Sequence, residues 1–115
     1  MAILKIPYQF HDALLEEFQI GPQREVLLRI SLYPVFYPGS PVVSVRFSDV
    51  ANLDTVRTYF SKLGKPDPEM GFDRIDALHY DTKRQSTEGK LFFYLRLNGE
   101  GSLIIHCSNC TVSGV

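Results

Sequence analysis

LFFYLRLNGEGSLIIHCSNCTV, residues 91–112, decides the fold because apolar residues recur on both sides of a glycine-rich turn. Alternating side chains are typical of strands with one buried face, and two such runs around a short turn predict a β-hairpin. The turn lies within Asn98-Gly99-Glu100-Gly101, and its length decides which side chains share a face.

Two turn lengths give two registers for this hairpin. A two-residue Asn98-Gly99 turn places Leu91, Phe93, Leu95 and Leu97 beside Glu100, Ser102, Ile104 and His106. A three-residue loop, Gly99 to Gly101, places the same four residues beside Leu103, Ile105 and Cys107. We predict the three-residue loop because it gathers the strongly apolar residues onto one wall, and because Gly101 can adopt the left-handed conformation.

Length and composition predict one ordinary globular domain over residues 1–115. Of the 115 residues, 44% are apolar, 12% aromatic and 22% charged. No apolar run approaches the roughly 20 residues of a membrane helix. The first ten residues, MAILKIPYQF, lack the extended apolar segment of a signal peptide. We therefore expect a cytoplasmic protein with no membrane partner.

Charge and cysteine content argue against two further classes of protein. The net charge is −1, and the 12 lysines and arginines are spread along the chain, whereas nucleic-acid binding requires a concentrated positive field. Two cysteines cannot form a framework of several disulfides. We predict no nucleic-acid partner.

The N-terminal part of the chain predicts strands, with one segment left open. Residues 3–10 alternate, and Pro7 would restrict this strand to a sheet edge because proline donates no ladder hydrogen bond. Residues 12–20 allow a short helix capped by Asp12 or a strand. In the strand alternative, the inward residues are Leu14, Phe18 and Ile20.

A hairpin that turns at Gly21-Pro22 is the favoured interpretation of this open segment. The residues after the turn alternate clearly, and the inward set is Val26, Leu28, Ile30 and Leu32. A proline-aromatic stretch, YPVFYPGSP, follows from Tyr33 to Pro41 and predicts an extended, semi-rigid loop. The next strand has Val43, Val45 and Phe47 inward.

One helix, about residues 52–63, is predicted in the middle of the chain. Asn52 is the expected N-cap, Asp54 complements the helix dipole, and Gly64 follows the last turn. The apolar stripe consists of Leu53, Val56, Tyr59, Phe60 and Leu63. Residues 72–81 predict one more strand before the hairpin, and TKRQSTEGK is a polar connection.

Strands and helix do not alternate along this chain, so a parallel doubly wound sheet is not expected. We predict an α+β fold, a mostly antiparallel, curled β-sheet of about six to seven strands with one α-helix packed across it. This layout is loosely similar to that of small bacterial immunity and antitoxin-like proteins, in layout only, and no motif assigns the chain to that family.

The spacing Cys107-Ser108-Asn109-Cys110 matches C-x-x-C, but its context does not favour redox or metal chemistry. A redox pair needs a following helix, and a zinc site needs four ligands, whereas here only five residues follow Cys110. We predict two buried strand residues, with a bulge at Ser108-Asn109 that keeps both cysteines on one face. No metal site and no cofactor are expected.

Catalytic motifs are absent from the sequence. There is no glycine-rich phosphate loop and no G-x-S-x-G nucleophile elbow. An acid–base pair could be formed by His79 and Asp81. A small enzyme or ligand-binding domain with a pocket around His79, Asp81, His106 and Cys107 is therefore the alternative hypothesis.

Two sets of side chains could form a binding surface. The proline-aromatic loop supplies Tyr33, Phe36 and Tyr37, which either anchor an interface or fold back onto the sheet. The outer face of the hairpin supplies Phe92, Tyr94 and Arg96, together with Ile104 and His106. We predict a non-catalytic protein-interaction or binding module whose partner is another protein or itself, the latter as a homodimer.

Overall fold

A computed structural model describes residues 8–69, 71–81 and 91–114 and shows the α+β fold that the sequence predicts. Within these ranges, seven strands form one antiparallel sheet in the order β6-β5-β4-β1-β2-β3-β7, and one helix packs across it. The elements are β1 (Leu14–Ile20), β2 (Val26–Ser31), β3 (Val42–Ser48), α1 (Leu53–Ser61), β4 (Asp73–Tyr80), β5 (Leu91–Leu97), β6 (Gly101–Cys107) and β7 (Asn109–Ser113).

The two halves of the curled sheet are joined by a short pairing between β1 and β4. In the described ranges, Leu14 pairs with Arg74 and Leu15 with Asp73, and the Ile75 N–H donates to the Ala13 carbonyl beside them. The inner faces of the halves then meet, and the ring centroids of Phe47 on β3 and Phe93 on β5 lie 5.4 Å apart. β6 and β7 are the two ends of the strand order, so the curl brings the ends together without pairing them in the described ranges.

The closing hairpin has the predicted shared face. Phe93 pairs with Ile105 and Leu95 pairs with Leu103, and all four side chains are buried on the inner face. The loop has three residues, but it occupies Asn98 to Glu100, one residue earlier than predicted. Gly101 begins β6 with φ at +77°, the left-handed conformation that glycine adopts without steric cost.

The segment of residues 12–20 is a strand, paired with β2 as the favoured hairpin predicts. Its inward set differs from the prediction, because the register shifts between Leu15 and Glu17. A β-bulge at Glu16 places Leu15 in the core and turns Leu14 away from it, whereas Leu14 was predicted inward. After the bulge, Phe18 packs against the core as predicted.

The helix buries four residues of the predicted stripe and Asn52 is its N-cap residue as predicted, but the Asn52 side chain does not cap the helix. Leu53, Val56, Tyr59 and Phe60 are buried, and Phe60 stacks on Phe18 of β1 with ring centroids 4.9 Å apart. The Asn52 side chain makes no cap hydrogen bond. Its amide instead donates to the Ile104 carbonyl at 2.7 Å and accepts from the His106 N–H at 2.9 Å.

This arrangement protects the outer edge of β6. The Ala51 N–H also donates to the His106 carbonyl at 2.7 Å, so residues 51 and 52 occupy the place of a neighbouring strand. Exposed strand edges invite pairing with other chains, and covering the edge removes that liability. A side chain that satisfies a strand edge is unavailable for the helix terminus, which explains why Asn52 holds the N-cap position without a side-chain cap.

At Ser108 the chain passes from β6, at one end of the strand order, to β7, at the other end. The sequence predicts a bulge within one strand at this point. β6 ends at Cys107, and β7 begins at Asn109 and pairs with β3 instead of β5. The Ser108 N–H donates to the Ser48 carbonyl at 3.0 Å, which guides the chain onto β3. Both cysteines are buried, as predicted, because the strand change takes the place of the bulge.

Two predicted segments fall wholly or partly outside the described residues. For the strand predicted at residues 3–10, residues 3–7 lie outside the described residues. Residues 8–10 are described and are not part of a strand. Phe10 is nevertheless buried in the core. The connection TKRQSTEGK, residues 82–90, lies outside the described residues.

Candidate interaction surface

The proline-aromatic loop forms two consecutive turns, which corrects the extended conformation predicted for it. In the first turn, the Phe36 and Tyr37 N–H groups donate to the Tyr33 carbonyl at 3.1 and 2.9 Å. In the second, the Ser40 N–H donates to the Tyr37 carbonyl at 3.1 Å. Pro34 and Pro38 each occupy the second position of a turn, where the fixed φ of proline is favourable. The same prolines that exclude a helix therefore favour turns.

These turns divide the loop into an inward and an outward part. Tyr37 packs against the core, accepts a hydrogen bond from the Gln9 N–H at 2.9 Å and contacts the Tyr8 ring edge-on. Val35 is 71% exposed and Phe36 is 46% exposed. In the part of the chain that the structure describes, no other large apolar side chain is exposed. The loop thus covers the sheet with one side and presents apolar surface with the other.

A cleft of about 460 Å³ adjoins the loop. Its lining residues come from β1 and the residue pair before it, the end of β2, the loop, the segment before β4 and β4 itself. They are Asp12, Leu14, Glu16, Ser31, Leu32, Tyr33, Pro34, Ser40, Glu69 and Arg74. The Phe36 ring contacts the Tyr33 ring edge-on with centroids 5.5 Å apart, so exposed apolar surface and cleft share a border. We call this feature the acidic cleft.

Its charge is predominantly negative. Three carboxylates, Asp12, Glu16 and Glu69, face one guanidinium, Arg74. Arg74 Nε lies 3.3 Å from Asp12 Oδ1, so these two charges offset each other. Glu16 and Glu69 have no cation partner within the described ranges. The acidic cleft therefore carries excess negative charge next to an apolar surface.

Local backbone geometry explains how the acidic cleft is built. The bulge at Glu16 turns Leu14 and Glu16 toward the cleft while Leu15 enters the core. Asp12 and Ser40, which also line the cleft, have φ values of +63° and +47°. Such left-handed conformations are uncommon outside glycine and often occur at functional sites. Nothing in the sequence signals this cleft, because its carboxylates come from segments far apart in the chain.

The outer face of β4, β5 and β6 carries the second predicted surface. His79 stacks on Tyr94 with ring centroids 5.3 Å apart, and Phe92 stacks on His106 with centroids 4.3 Å apart. We call these four rings and Ile104 the stacked face. α1 packs on the inner side of the sheet, so it does not cover the stacked face.

Polar contacts flank the stacked face. Arg96 Nε lies 3.7 Å from Asp76 Oδ2, so the predicted interaction residue Arg96 is already paired. The Tyr94 and Ser102 hydroxyl oxygens lie 2.8 Å apart, and this hydrogen bond lowers the pKa of the Tyr94 phenol. His79 is exposed and the other members of the stacked face are partly exposed.

The alternative pocket is not assembled in one place. His79 lies on the outer face of β4 and His106 on the outer face of β6, with β5 between them. Cys107 is fully buried on the inner face, and Asp81 follows β4, where its N–H donates to the Phe92 carbonyl at 2.8 Å. Among the described residues, the buried His106 Nε2 has no hydrogen-bond partner, and the His106 ring stacks on Phe92. His79 and His106 share the outer face, whereas Cys107 faces the core, so the four side chains do not line one cleft.

Neither cysteine thiol is accessible to solvent. Cys107 and Cys110 are reduced thiols and are fully buried. Burial raises the pKa of the Cys110 thiol to about 12, and the neighbouring Cys107 adds to this shift. Among the described residues, no group of three or more His, Cys, Asp or Glu side chains could hold a metal ion.

Comparison with known proteins gives no family for this chain. No family model, no curated protein and no solved structure matches it. In the part of the chain that the structure describes, the helix falls short of the length and apolar character that crossing a bilayer requires. The functional proposal therefore depends on the geometry of the described residues.

Proposed function

We propose that the protein is a non-catalytic protein-interaction module that binds a partner through the proline-aromatic loop. The observation that carries this proposal is the exposure of Val35 and Phe36 at the tip of two proline turns. Exposed apolar side chains on a folded chain mark interaction sites when they lie together, and aromatic residues are frequent anchors. A loop held by turns loses little conformational entropy when it binds.

The separation of Cys107 from His79 and His106 supports a binding function over an enzymatic one. Cys107 is buried on the inner face, whereas both histidines lie on the outer face with β5 between them. A cytoplasmic location, a single domain over residues 1–115 and the lack of a nucleic-acid partner stay predictions from the sequence.

A peptide-display selection tests the proposal without a known partner. We expect random 12-residue peptides to be enriched on the wild-type protein, and enriched peptides to lose binding to the V35S/F36S variant. Both side chains are exposed, so the variant should keep its melting temperature within a few degrees. The L27S variant is the matched control, because half-exposed Leu27 lies on β2 outside the loop and the acidic cleft.

Two outcomes would contradict this proposal. One is that no peptide is enriched on the folded wild-type protein. The other is that enriched peptides bind the V35S/F36S variant as well as they bind the wild type and the L27S control.

Self-association is a second candidate function, and the stacked face favours it. Phe92, Tyr94 and Ile104 are half buried on a face that α1 leaves uncovered. A single surface can bury itself about a two-fold axis, so we propose a homodimer through this face. Sedimentation equilibrium at micromolar concentration should give twice the 13.1 kDa chain mass, and I104S should shift it toward the monomer. A single 13.1 kDa species for the wild type would contradict the homodimer.

A further inference from the structure

We infer that the partner of the proline-aromatic loop is an extended protein segment in which an apolar side chain neighbours a lysine or arginine. The apolar side chain packs on Val35 and Phe36, and the basic side chain enters the acidic cleft. This inference rests on the proposed function, and it adds the chemical class of the partner.

Charge complementarity selects a basic side chain. Glu16 and Glu69 line the acidic cleft without a cation partner in the described ranges, while Arg74 is engaged by Asp12 at 3.3 Å. An acidic side chain in the cleft would therefore lie beside two unneutralised carboxylates, and repulsion between like charges disfavours binding. A neutral side chain would leave the carboxylates without a new partner.

The dimensions of the cleft suit such a side chain. Its volume of about 460 Å³ lies in the range of pockets that enclose small ligands, so one long side chain fits with room for its neighbours. The walls are mixed, because Leu14, Leu32 and Tyr33 supply apolar contacts for an aliphatic stem and the carboxylates lie ready for its charged end.

The position of the exposed apolar pair fixes the spacing in the partner. Tyr33 lines the cleft and contacts the Phe36 ring at 5.5 Å, and Val35 lies between these two residues in the chain. An extended segment rises about 3.3 Å per residue. A basic residue in the cleft and an apolar residue on Phe36 should therefore be one to three positions apart in the partner.

A second copy of this chain and an acidic peptide are the competing occupants. The net charge of the protein is only −1, so its overall field neither attracts nor repels a basic segment strongly. Selectivity for a basic side chain must then come from the carboxylates of the acidic cleft. Substitution of Glu16 and Glu69 by glutamine removes their charge.

The test uses the peptides enriched by display, synthesised with a fluorescent label and measured by anisotropy. We expect the enriched peptides to share a lysine or arginine one to three positions from an apolar residue. The E16Q/E69Q variant should bind such a peptide about tenfold more weakly, since each partly exposed ion pair contributes modestly. Replacing the basic residue of the peptide by glutamine should cause the same loss on the wild type and little further loss on E16Q/E69Q.

The matched control is the E17Q/D54N variant. It changes the net charge by the same amount, and neither residue lines the acidic cleft. Its affinity should equal that of the wild type, and the wild-type affinity should fall as salt is added. Melting curves of both double variants establish that each is folded.

The outcomes separate this inference from the proposed function. Enriched peptides without basic residues, or equal binding by E16Q/E69Q and wild type, would overturn the inference while a loss in V35S/F36S keeps the loop as binding site. Peptides that depend on Glu16 and Glu69 but not on Val35 and Phe36 would overturn the apolar anchor. If the wild-type protein sediments as a dimer and E16Q/E69Q sediments as a monomer, the occupant of the acidic cleft is a second copy of this chain. That result would overturn the peptide partner.

Discussion

At the scale of single residues, burial controls the chemistry of the two cysteines. Cys107 and Cys110 are fully buried, and burial raises the pKa of the Cys110 thiol to about 12. Only a thiolate attacks disulfides or binds metals readily. Because the folded pKa lies above the ordinary value of 9.0, the Cys110 thiolate forms only as the pH rises through about 12.

We therefore predict that both thiols are unreactive in the folded protein. A thiol titration at pH 7 should show slow labelling of the native chain and rapid labelling of two thiols in denaturant. Rapid labelling under native conditions would contradict the burial of these residues, as would one bound equivalent of zinc in the purified protein.

Tyr59 shows how a single polar group stabilises the helix on the sheet. Its hydroxyl donates to the Gly101 carbonyl at 2.8 Å and accepts from the Leu97 N–H at 3.3 Å. Both partners lie at the end of the closing hairpin, where β5 and β6 meet the loop. Burial raises the pKa of the Tyr59 phenol to about 12, so the hydroxyl keeps its proton and both hydrogen bonds at pH values where an exposed tyrosine would ionise.

At the scale of elements, α1 depends on aromatic packing against β1. Phe60 is almost completely buried and stacks on Phe18, which in turn contacts Phe72. Removing a buried aromatic side chain takes away its contacts and leaves a cavity that neighbours fill only in part.

We predict that Phe60→Ala lowers the free energy of unfolding by about 3–5 kcal/mol in denaturant melts. Arg57→Ala, on the exposed side of the same helix, should change it by less than about 0.5 kcal/mol. A loss below about 1 kcal/mol for Phe60→Ala would show that the helix does not pack on the sheet through this ring.

Local patterns predict the elements of this fold but not the contacts between them. The shared apolar face of the hairpin and the helix stripe follow from alternation and helical periodicity, which the residues themselves carry. The role of Asn52, the bulge at Glu16 and the strand change at Ser108 each depend on a partner distant in sequence. The Asn52 side chain can hydrogen-bond either a helix end or a strand edge, and the sequence does not indicate which of these bonds forms.

The candidate site was predictable to the same extent. The loop aromatics Tyr33, Phe36 and Tyr37 stand out in the sequence because prolines surround them. Their division into a core side and an exposed side is decided by the turns, and Val35 becomes the most exposed large apolar residue of the described chain. The acidic cleft could not be foreseen, since Glu16 and Glu69 come together only after β1 and the segment before β4 are in place.

At the scale of the whole molecule, the curled sheet separates three surfaces. The inner face and α1 form the core, the stacked face lies on the outside of β4, β5 and β6, and the proline-aromatic loop projects beside the acidic cleft. A protein-interaction module needs a rigid body with an accessible apolar surface, and this chain has that arrangement.

Chemical-shift mapping tests the location of the binding surface most directly. Backbone amide spectra of the ¹⁵N-labelled protein would be recorded while a peptide enriched by display is added. We predict shift changes at residues 12–16 and 33–40 and at Glu69 and Arg74, with the stacked face unchanged. Changes confined to residues 92–96 and 104–106, with the loop and the acidic cleft unaffected, would contradict the proposed binding site.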